Sequence, residues 1–337
     1  MQFFSEPNIN FMSIRKLALS ISALLILVGI ISLFMHGGPR LGIDFLGGYS
    51  FRLHFTKDMD IGVIRSALAT SDFKNASIKK ILAIGESGSD ILIFLEGSQA
   101  VGITSDKIDS VLTAALRKDL DTSTNVTVDK KNDAVEEKLF TIESKEMVGP
   151  KIGGELERKA IWAILFSLLL ILIYISFRFE FKFAVGAIVA LFHDILITLG
   201  VFSLLDLEIQ LAIVAAFLTI VGYSLNDTIV VFDRIRENLK KLRGLDYLSV
   251  INQSINQSLS RTIITSLTTL VVVVILYIFG GEVIKNFAFA LIVGIVVGTY
   301  SSVFVASPVV IAMHQQSEAR RAVQRSTRTM RPLKAKR

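Results

Sequence analysis

Long, uninterrupted runs of apolar residues alternate with polar segments along this chain of 337 residues. A helix needs roughly 20 apolar residues to cross a bilayer, and six runs come close to or exceed that length. Each run is continuous and lacks the period-two alternation of a barrel strand, so the pattern predicts helices. The predicted transmembrane helices cover residues 17–35, 160–177, 183–205, 211–232, 262–279 and 287–313. Pro308 lies inside the last one and predicts a kink or an early stop.

Lysine and arginine are concentrated in alternate loops between these runs. They precede the first run, fill the short connection after the second, and follow the fourth and the sixth. Cytoplasmic loops of membrane proteins carry such an excess. We therefore expect residues 1–16, the short connection between the second and third runs, and residues 233–261 and 314–337 to be cytoplasmic. We expect the large polar segment 36–159 to lie in the periplasm of a bacterial inner membrane.

The net charge of +6 comes from the C-terminal tail, because the rest of the chain is almost neutral. Residues 314–337 contain eight basic residues and one acidic residue, so the tail carries +7 and the rest of the chain −1. A basic cytoplasmic terminus explains this placement without nucleic-acid binding. We therefore expect no nucleic acid to bind the tail, and we expect membrane lipid to be a partner of the chain as a whole.

The polar segment 36–159 has the mixed charge and short periodic runs of a small folded domain. Alternation predicts strands at 49–55, 76–84, 91–95, 125–131 and 139–145, and helical spacing predicts helices at 61–71 and from Thr104 or Ser105 to Leu120. The order resembles that of a split βαβ fold. The predicted fold class is an α-helical polytopic membrane protein with six transmembrane helices and a small α+β ferredoxin-like periplasmic domain between the first two.

Composition excludes several kinds of chemistry. The chain has no cysteine, so it forms no disulfide and contains no thiolate metal site or cysteine nucleophile. It contains no Walker A or GxGxxG sequence and no HExxH-like ligand spacing. We expect neither ATP hydrolysis nor a bound metal or other cofactor, and no enzymatic site.

Ionisable residues inside predicted spans are expensive and by default indicate function. In the fourth run Asp227 lies about one and a half turns from the expected cytoplasmic end, with Tyr223 and Ser224 on the same helical face. A buried carboxyl there can bind and release a proton. The alternative is an interfacial Asp227 that reaches solvent.

Arg261 opens the fifth run and lies in the same half of the membrane as Asp227, because the fourth and fifth spans are antiparallel. Thr265, Thr268 and Thr269 follow roughly on its helical face. The two charges can therefore meet and form a proton switch. Alternatively, Arg261 is an anchor whose side chain extends to the lipid headgroups.

His193 and Asp194 lie near the middle of the third run. Neighbouring residues of a helix point about 100° apart, so we expect no pair between these two side chains. Each can face another helix instead. A structural hydrogen bond is the competing interpretation for His193, whereas a central carboxylate such as Asp194 is harder to explain without a function.

Two further segments have structural interpretations. The glycines of the segment from Gly42 to Gly48, which also contains Asp44 and Gly47, predict a turn with special backbone requirements. In the segment 248–259 apolar residues recur at helical intervals, which predicts an amphipathic helix against lipid or another subunit.

Three motifs together resemble the SecD/SecF family of protein-export membrane proteins. They are Gly42-Ile43-Asp44-Phe45-Leu46-Gly47-Gly48, the segment from Val221 to Asn238 that begins Val-Gly-Tyr-Ser-Leu-Asn-Asp-Thr, and Ser258-Leu259-Ser260-Arg261-Thr262. Val148-Gly149-Pro150-Lys151 and His193-Asp194 are supporting matches. The similarity covers nearly the whole chain, and the second motif is the most specific.

The resemblance implies half of a resistance-nodulation-division-like transporter, and it fits the separate smaller subunit better than the fused double-length form. Asp227 and Arg261 match the family's proton-pathway positions, with Tyr223, Asn226, His193 and Asp194 as weaker candidates. The implied function is to use the proton motive force, together with SecD, to drive late steps of preprotein translocation. Implied partners are SecD, the SecYEG translocon and unfolded preprotein, with YajC and YidC as further candidates.

Two other functions remain open from the sequence. One is a subunit of a small-solute or drug efflux transporter, although efflux members of that superfamily carry porter domains much larger than the segment 36–159. The other is a structural scaffold for a membrane complex. A scaffold predicts that Asp227 and Arg261 tolerate neutral substitution, whereas a proton relay predicts that they do not.

Overall fold

A computed structural model describes residues 7–69, 76–81, 89–96, 140–242 and 244–329. The chain divides into two compact units. The sheet unit comprises residues 41–162 together with 208–211, and the helical unit comprises residues 1–40, 163–207 and 212–337. The short connection 208–211 was not expected to belong with the polar segment.

Six long helices of the described chain are apolar enough to cross a membrane, which confirms the predicted fold class. The bounds of the first five are α1 Arg15–Met35, α4 Pro150–Arg178, α5 Phe181–Leu204, α6 Leu211–Lys241 and α7 Tyr247–Phe279. The sixth begins as α8 Gly281–Ser301 and continues as α9 Ser307–Thr329. Two shorter helices, α2 Ile43–Leu46 and α3 Ile61–Ala69, belong to the sheet unit.

The sixth span does not stop at Pro308. A π-helical turn, Ser302–Ala306, joins α8 to α9 directly before the proline. Proline has no backbone N–H to give to the carbonyl one turn earlier, and a wider turn accommodates that missing bond. The Ser307 hydroxyl also donates to the Ser302 carbonyl oxygen at 3.1 Å, which supports the wider turn.

The segment 233–261, predicted as a loop, is mostly helical. The helix α6 runs on to Lys241 and α7 already begins at Tyr247, where Asp246 accepts a hydrogen bond from the Leu248 N–H. The expected amphipathic helix is therefore the first part of α7. Its apolar side packs in the core of the helical unit, where Ile251 and Ile255 are fully buried, so this face is covered by its own chain and not by lipid.

The sheet unit has a four-stranded antiparallel sheet in the order β2-β3-β1-β4. The strands are β1 Gly48–Phe55, β2 Ser77–Ile81, β3 Ser89–Glu96 and β4 Phe140–Val148. This order is the one that a split βαβ fold requires. The predicted strand 125–131 and the helix ending at Leu120 lie outside the described residues.

Alternate residues of the strands build the core of the sheet unit. Phe51, Leu53 and Phe55 of β1 are fully buried, and Ile64 and Leu68 of α3 pack in the same cluster. Period-two burial on a strand and helical spacing on α3 are what the sequence pattern predicted.

Within the sheet unit, the glycine motif contacts the short connection 208–211. Gly42 donates its N–H to the Ile209 carbonyl oxygen at 2.8 Å, and a side chain at position 42 would collide with Gln210. The Asp44 carboxylate accepts from the Leu211 N–H at 2.8 Å, so it caps the first residue of α6. Gly47 and Gly48 have positive φ angles of 71° and 143°, which favour glycine.

Replacing the Asp44 carboxylate should loosen this connection. Asp44→Ala removes the acceptor of the Leu211 N–H, and losing a helix cap costs about 0.5–2 kcal/mol. Thermal unfolding of the purified chain in detergent should show a lower midpoint for Asp44→Ala. Asp44→Asn retains an acceptor oxygen and should stay close to the unsubstituted protein. Equal midpoints for Asp44→Ala and the unsubstituted protein would show that the cap is unimportant.

Candidate functional site

Asp227 lies on the buried face of α6, with 3% of its surface exposed. Three side chains of α7 lie near its carboxyl group, those of Arg261, Thr262 and Ser266. Thr262 and Ser266 are four residues apart and therefore lie on one face of α7. A carboxyl group inside the span thus faces two hydroxyls and the field of one positive charge.

Several polar atoms in this region are buried without a hydrogen-bond partner among the described residues. They include Oδ2 of Asp227, Oγ1 of Thr228, the Tyr223 hydroxyl oxygen and Oγ1 of Thr262. Most buried polar groups of folded proteins are hydrogen-bonded, because an unpaired one costs about 1–3 kcal/mol. These unpaired polar atoms are concentrated on two neighbouring spans.

Arg261 does not pair with Asp227 in the described structure. No salt bridge joins the two described side chains, and Arg261 is exposed on the surface of α7, so its charge acts on Asp227 only at longer range. Asn226 and Gly222, one turn apart on α6, are exposed as well. Polar and small residues on the surface of a spanning helix are typical of helix–helix contacts in membranes.

The hydroxyls near Asp227 are not those of the three threonines that follow Arg261 roughly on its helical face. Thr265, Thr268 and Thr269 each donate to a carbonyl oxygen of their own helix, between 2.9 and 3.0 Å away. Thr262 and Ser266 lie on the buried side of α7 instead, and Ser266 is 2.7 Å from the Thr299 hydroxyl of α8. A threonine-rich helix offers several possible faces, and tertiary packing selects among them.

Asp194 is the centre of a second polar cluster, and it is fully buried. Its Oδ2 accepts from the hydroxyl of Ser224 on α6 at 2.5 Å and from that of Ser301 on α8 at 2.9 Å. Its Oδ1 lies 2.8 Å from Nδ1 of His193. Three partners therefore satisfy the carboxylate and join α5, α6 and α8.

The expectation that His193 and Asp194 do not pair is wrong. Their Cβ atoms do point in different directions, but an imidazole ring and a carboxylate are long enough to meet beside the helix. On the other side of the ring, Nε2 of His193 lies 3.0 Å from the Ser22 hydroxyl of α1. The Ser22 hydroxyl in turn is 3.1 Å from the hydroxyl of Tyr300 on α8.

Two glycines of α8 allow these helices to approach one another. A Cβ atom on Gly294 would lie 2.3 Å from the Ile220 side chain, and one on Gly298 would lie 3.0 Å from Cβ of Ser224. The close approach brings Ser224 and Ser301 to the same carboxylate oxygen. Sequence reasoning did not identify Ser224 and Ser301 as partners of Asp194, or Ser22 as a partner of His193, because single serines in apolar runs carry no specific signal.

The two buried carboxyl groups therefore differ in their surroundings. Asp194 has three partners and ties helices together, whereas Asp227 has an unpaired oxygen and only nearby groups that can respond to its charge. Changing the protonation state of a fully hydrogen-bonded carboxylate disrupts its hydrogen bonds and is costly. The change costs less for a carboxylate that has an oxygen without a hydrogen-bond partner. Asp227 is thus the better candidate for a group that gains and loses a proton during a working cycle.

Comparisons with known proteins agree on one family. A family model described as "Protein export membrane protein SecD/SecF, C-terminal" matches residues 127–316. The chain is 43% identical to "Protein translocase subunit SecF" of Thermodesulfovibrio yellowstonii, over 95% of this chain and 99% of that one. It is 45% identical to the protein of the same name in Rhodothermus marinus, over 95% and 98% of the two chains.

Two solved structures of SecDF resemble the structure of this chain. The crystal structure of SecDF from Thermus thermophilus, described as a translocon-associated membrane protein, gives a TM-score of 0.76 at 38% identity. SecDF in its super-membrane-facing form gives 0.67 at 37% identity. The matches cover 92% and 96% of this chain but only 39% and 41% of the SecDF chains. The motif resemblance is thereby confirmed: the chain belongs to the SecD/SecF family of protein-export membrane proteins.

Proposed function

We propose that the chain is an accessory subunit of the Sec protein translocase that uses the proton motive force to drive late steps of preprotein translocation. Its relatives of similar length carry the name of a protein translocase subunit. The six spans and the sheet unit provide the parts for such a function, a proton-responsive membrane region and a domain that engages preprotein. No catalytic residue is part of this proposal.

The observation that carries the proposal is the state of Asp227. Its carboxyl group is buried in a span, has an unpaired oxygen in the described structure, and faces a positive charge that it does not touch. Binding a proton neutralises the carboxyl group, and releasing the proton restores its attraction to Arg261. Alternation between these states can move α6 relative to α7. Asp227 and Arg261 therefore form the proposed proton pathway, with Tyr223 and Asn226 as weaker members.

The exposed positions Arg261, Asn226 and Gly222 support a partner in the membrane. Burying a guanidinium and an amide against lipid tails is costly, whereas a second polytopic subunit can supply acceptors for both. The chain spans about 40% of the SecDF chains that it resembles, which leaves room for a second half. We propose SecD as this partner, and the SecYEG translocon, YajC and YidC as further components of the assembly.

The proposed topology follows from charge. The protein is a multi-pass membrane protein, and we propose the bacterial inner membrane as its location, with both termini cytoplasmic and the sheet unit periplasmic. In that orientation the sheet unit is on the side where preprotein emerges. A reversed orientation, detected by labelling single cysteines introduced into this cysteine-free chain, would contradict the proposed function.

Neutralising Arg261 tests the electrostatic part of the proposal. Arg261→Gln keeps a polar side chain but removes the charge that acts on Asp227, so we expect it to lower proton-motive-force-stimulated export at least tenfold. Arg261→Lys keeps the charge and should retain a substantial part of the activity, although a lysine cannot reproduce bidentate contacts. The measurement is preprotein uptake into membrane vesicles with and without an ionophore. Full stimulation in Arg261→Gln would contradict a role for this charge.

A further inference from the structure

A series of four contacts leads from the Asp194 carboxylate to the backbone of α1. Oδ1 of Asp194 lies 2.8 Å from Nδ1 of His193, and Nε2 of His193 lies 3.0 Å from the Ser22 hydroxyl oxygen. The Ser22 oxygen lies 3.1 Å from the Tyr300 hydroxyl oxygen, which donates to the Ala18 carbonyl oxygen at 2.7 Å. All four distances are those of hydrogen bonds.

The hydrogens available for these contacts can be counted. Each contact needs one hydrogen between its two heavy atoms, and neither a carboxylate nor a carbonyl supplies one. Ser22 and Tyr300 supply one each, and a neutral imidazole supplies one more. That makes three hydrogens for four contacts. The fourth contact is completed only when Asp194 and His193 together hold one further proton.

The net charge of the Asp194–His193 pair also indicates that the pair holds one further proton. Asp194 is fully buried and His193 is 5% exposed, near the middle of α5. A carboxylate beside a neutral imidazole would place a net negative charge there, which is costly within a membrane. In the described structure the titratable groups in contact with His193 are Asp194 on its own helix and Tyr300 on α8, and its α1 partner Ser22 is uncharged. The further proton makes the pair neutral.

We propose that Asp194 and His193 form a second proton-binding site, separate from Asp227, whose proton completes the connection between α1 and α8. The proton resides either on the imidazole or between the two side chains, and in both arrangements Nε2 carries a hydrogen that it donates to Ser22. Ser22 then donates to Tyr300. When the proton leaves, three hydrogens remain for four contacts. With the ring hydrogen on Nδ1, Ser22 can donate to His193 or to Tyr300 but not to both; with the ring hydrogen on Nε2, the contact between Nδ1 and the Asp194 carboxylate is lost instead.

All residues of the proposed site lie in this chain, and the proposal does not depend on the role in protein export. It can be tested on the purified full-length chain in detergent by nitrogen-15 NMR of labelled histidine, because the chain has four histidines and His193→Gln identifies the signal. We expect Nε2 of His193 to be protonated at neutral pH. A neutral ring would overturn the proposal, whether its hydrogen is on Nδ1 alone or on Nε2 alone with no hydrogen shared between Nδ1 and Asp194.

Tyr300→Phe provides the matched test of the hydrogen count. Without the Tyr300 hydroxyl only the first two contacts remain, and a neutral imidazole with the Ser22 hydroxyl satisfies both. We therefore expect a smaller share of protonated Nε2 in Tyr300→Phe than in Tyr277→Phe, which removes a hydroxyl elsewhere in the bundle; the burial of the pair still favours the further proton in both variants. Equal shares of protonated Nε2 in Tyr300→Phe and Tyr277→Phe would also contradict the proposal. If Tyr300→Phe fails to fold, the spectrum of the unsubstituted chain still decides.

Discussion

Asp227→Asn should abolish the stimulation of preprotein export by the proton motive force while leaving the protein assembled in the membrane. The amide is nearly isosteric with the carboxyl group and keeps a polar side chain beside Thr262 and Ser266, but it cannot bind and release a proton. A relay that depends on charge at position 227 therefore stops. We expect export with ATP alone to continue at its basal rate, and the additional rate caused by the gradient to fall by at least tenfold.

Asp233→Asn is the matched control for this substitution. Asp233 lies on the same helix as Asp227, but it is exposed and pairs with Arg178 at 3.3 Å. Exposed ion pairs contribute little, about 0–1 kcal/mol, so Asp233→Asn should leave gradient-stimulated export nearly unchanged. Normal stimulation in Asp227→Asn would refute the proton relay and favour the structural scaffold, which tolerates neutral substitution at that position.

Gly200→Ala should separate α1 from α5 and lower the stability of the helical unit. A Cβ atom at position 200 would lie 2.8 Å from Cα of Gly29, and backbone atoms cannot move aside as a flexible side chain can. Overpacking of this kind costs about 1–3 kcal/mol. The separation would also weaken the hydrogen bond between Ser32 and Ser203, whose hydroxyl oxygens are 2.8 Å apart, and the contact of Ser22 with His193.

The midpoint of thermal unfolding in detergent measures this effect, with Gly222→Ala as the matched control. Gly222 is also within a spanning helix, but no atom lies within 4 Å of the position that its Cβ would occupy. Alanine is the better helix former by about 1 kcal/mol, so Gly222→Ala should unfold at the same temperature as the unsubstituted chain or higher. A midpoint for Gly200→Ala that equals that of Gly222→Ala would show that α1 and α5 do not need this close contact.

The membrane architecture was predictable because hydrocarbon imposes a length on each helix and forbids exposed backbone. The apolar runs therefore identified all six long helices, and alternation identified β1, β2, β3 and β4 of the sheet unit. The helix ends were less predictable. Residues 233–261 are polar enough to leave the membrane, and polarity alone does not distinguish a loop from a helix that continues into water.

The polar contacts inside the helical unit were only partly predictable. Rarity in a span singled out Asp227, His193 and Asp194, but the choice of partners depends on how the helices rotate and approach one another. The pairing of His193 with Asp194 and the orientation of Thr262 and Ser266 towards Asp227 follow from packing, which a single sequence does not encode as a local pattern. The proton-pathway roles of these residues stay predictions until the substitutions are measured.

The most direct test of the central claim is preprotein translocation into reconstituted vesicles under a defined proton gradient at constant ATP. The vesicles contain the translocon and SecD, together with this chain or its Asp227→Asn variant. The account predicts that the gradient accelerates translocation only with the unsubstituted chain and that an ionophore removes the acceleration. Equal acceleration with Asp227→Asn, or in vesicles that lack the chain, would contradict it.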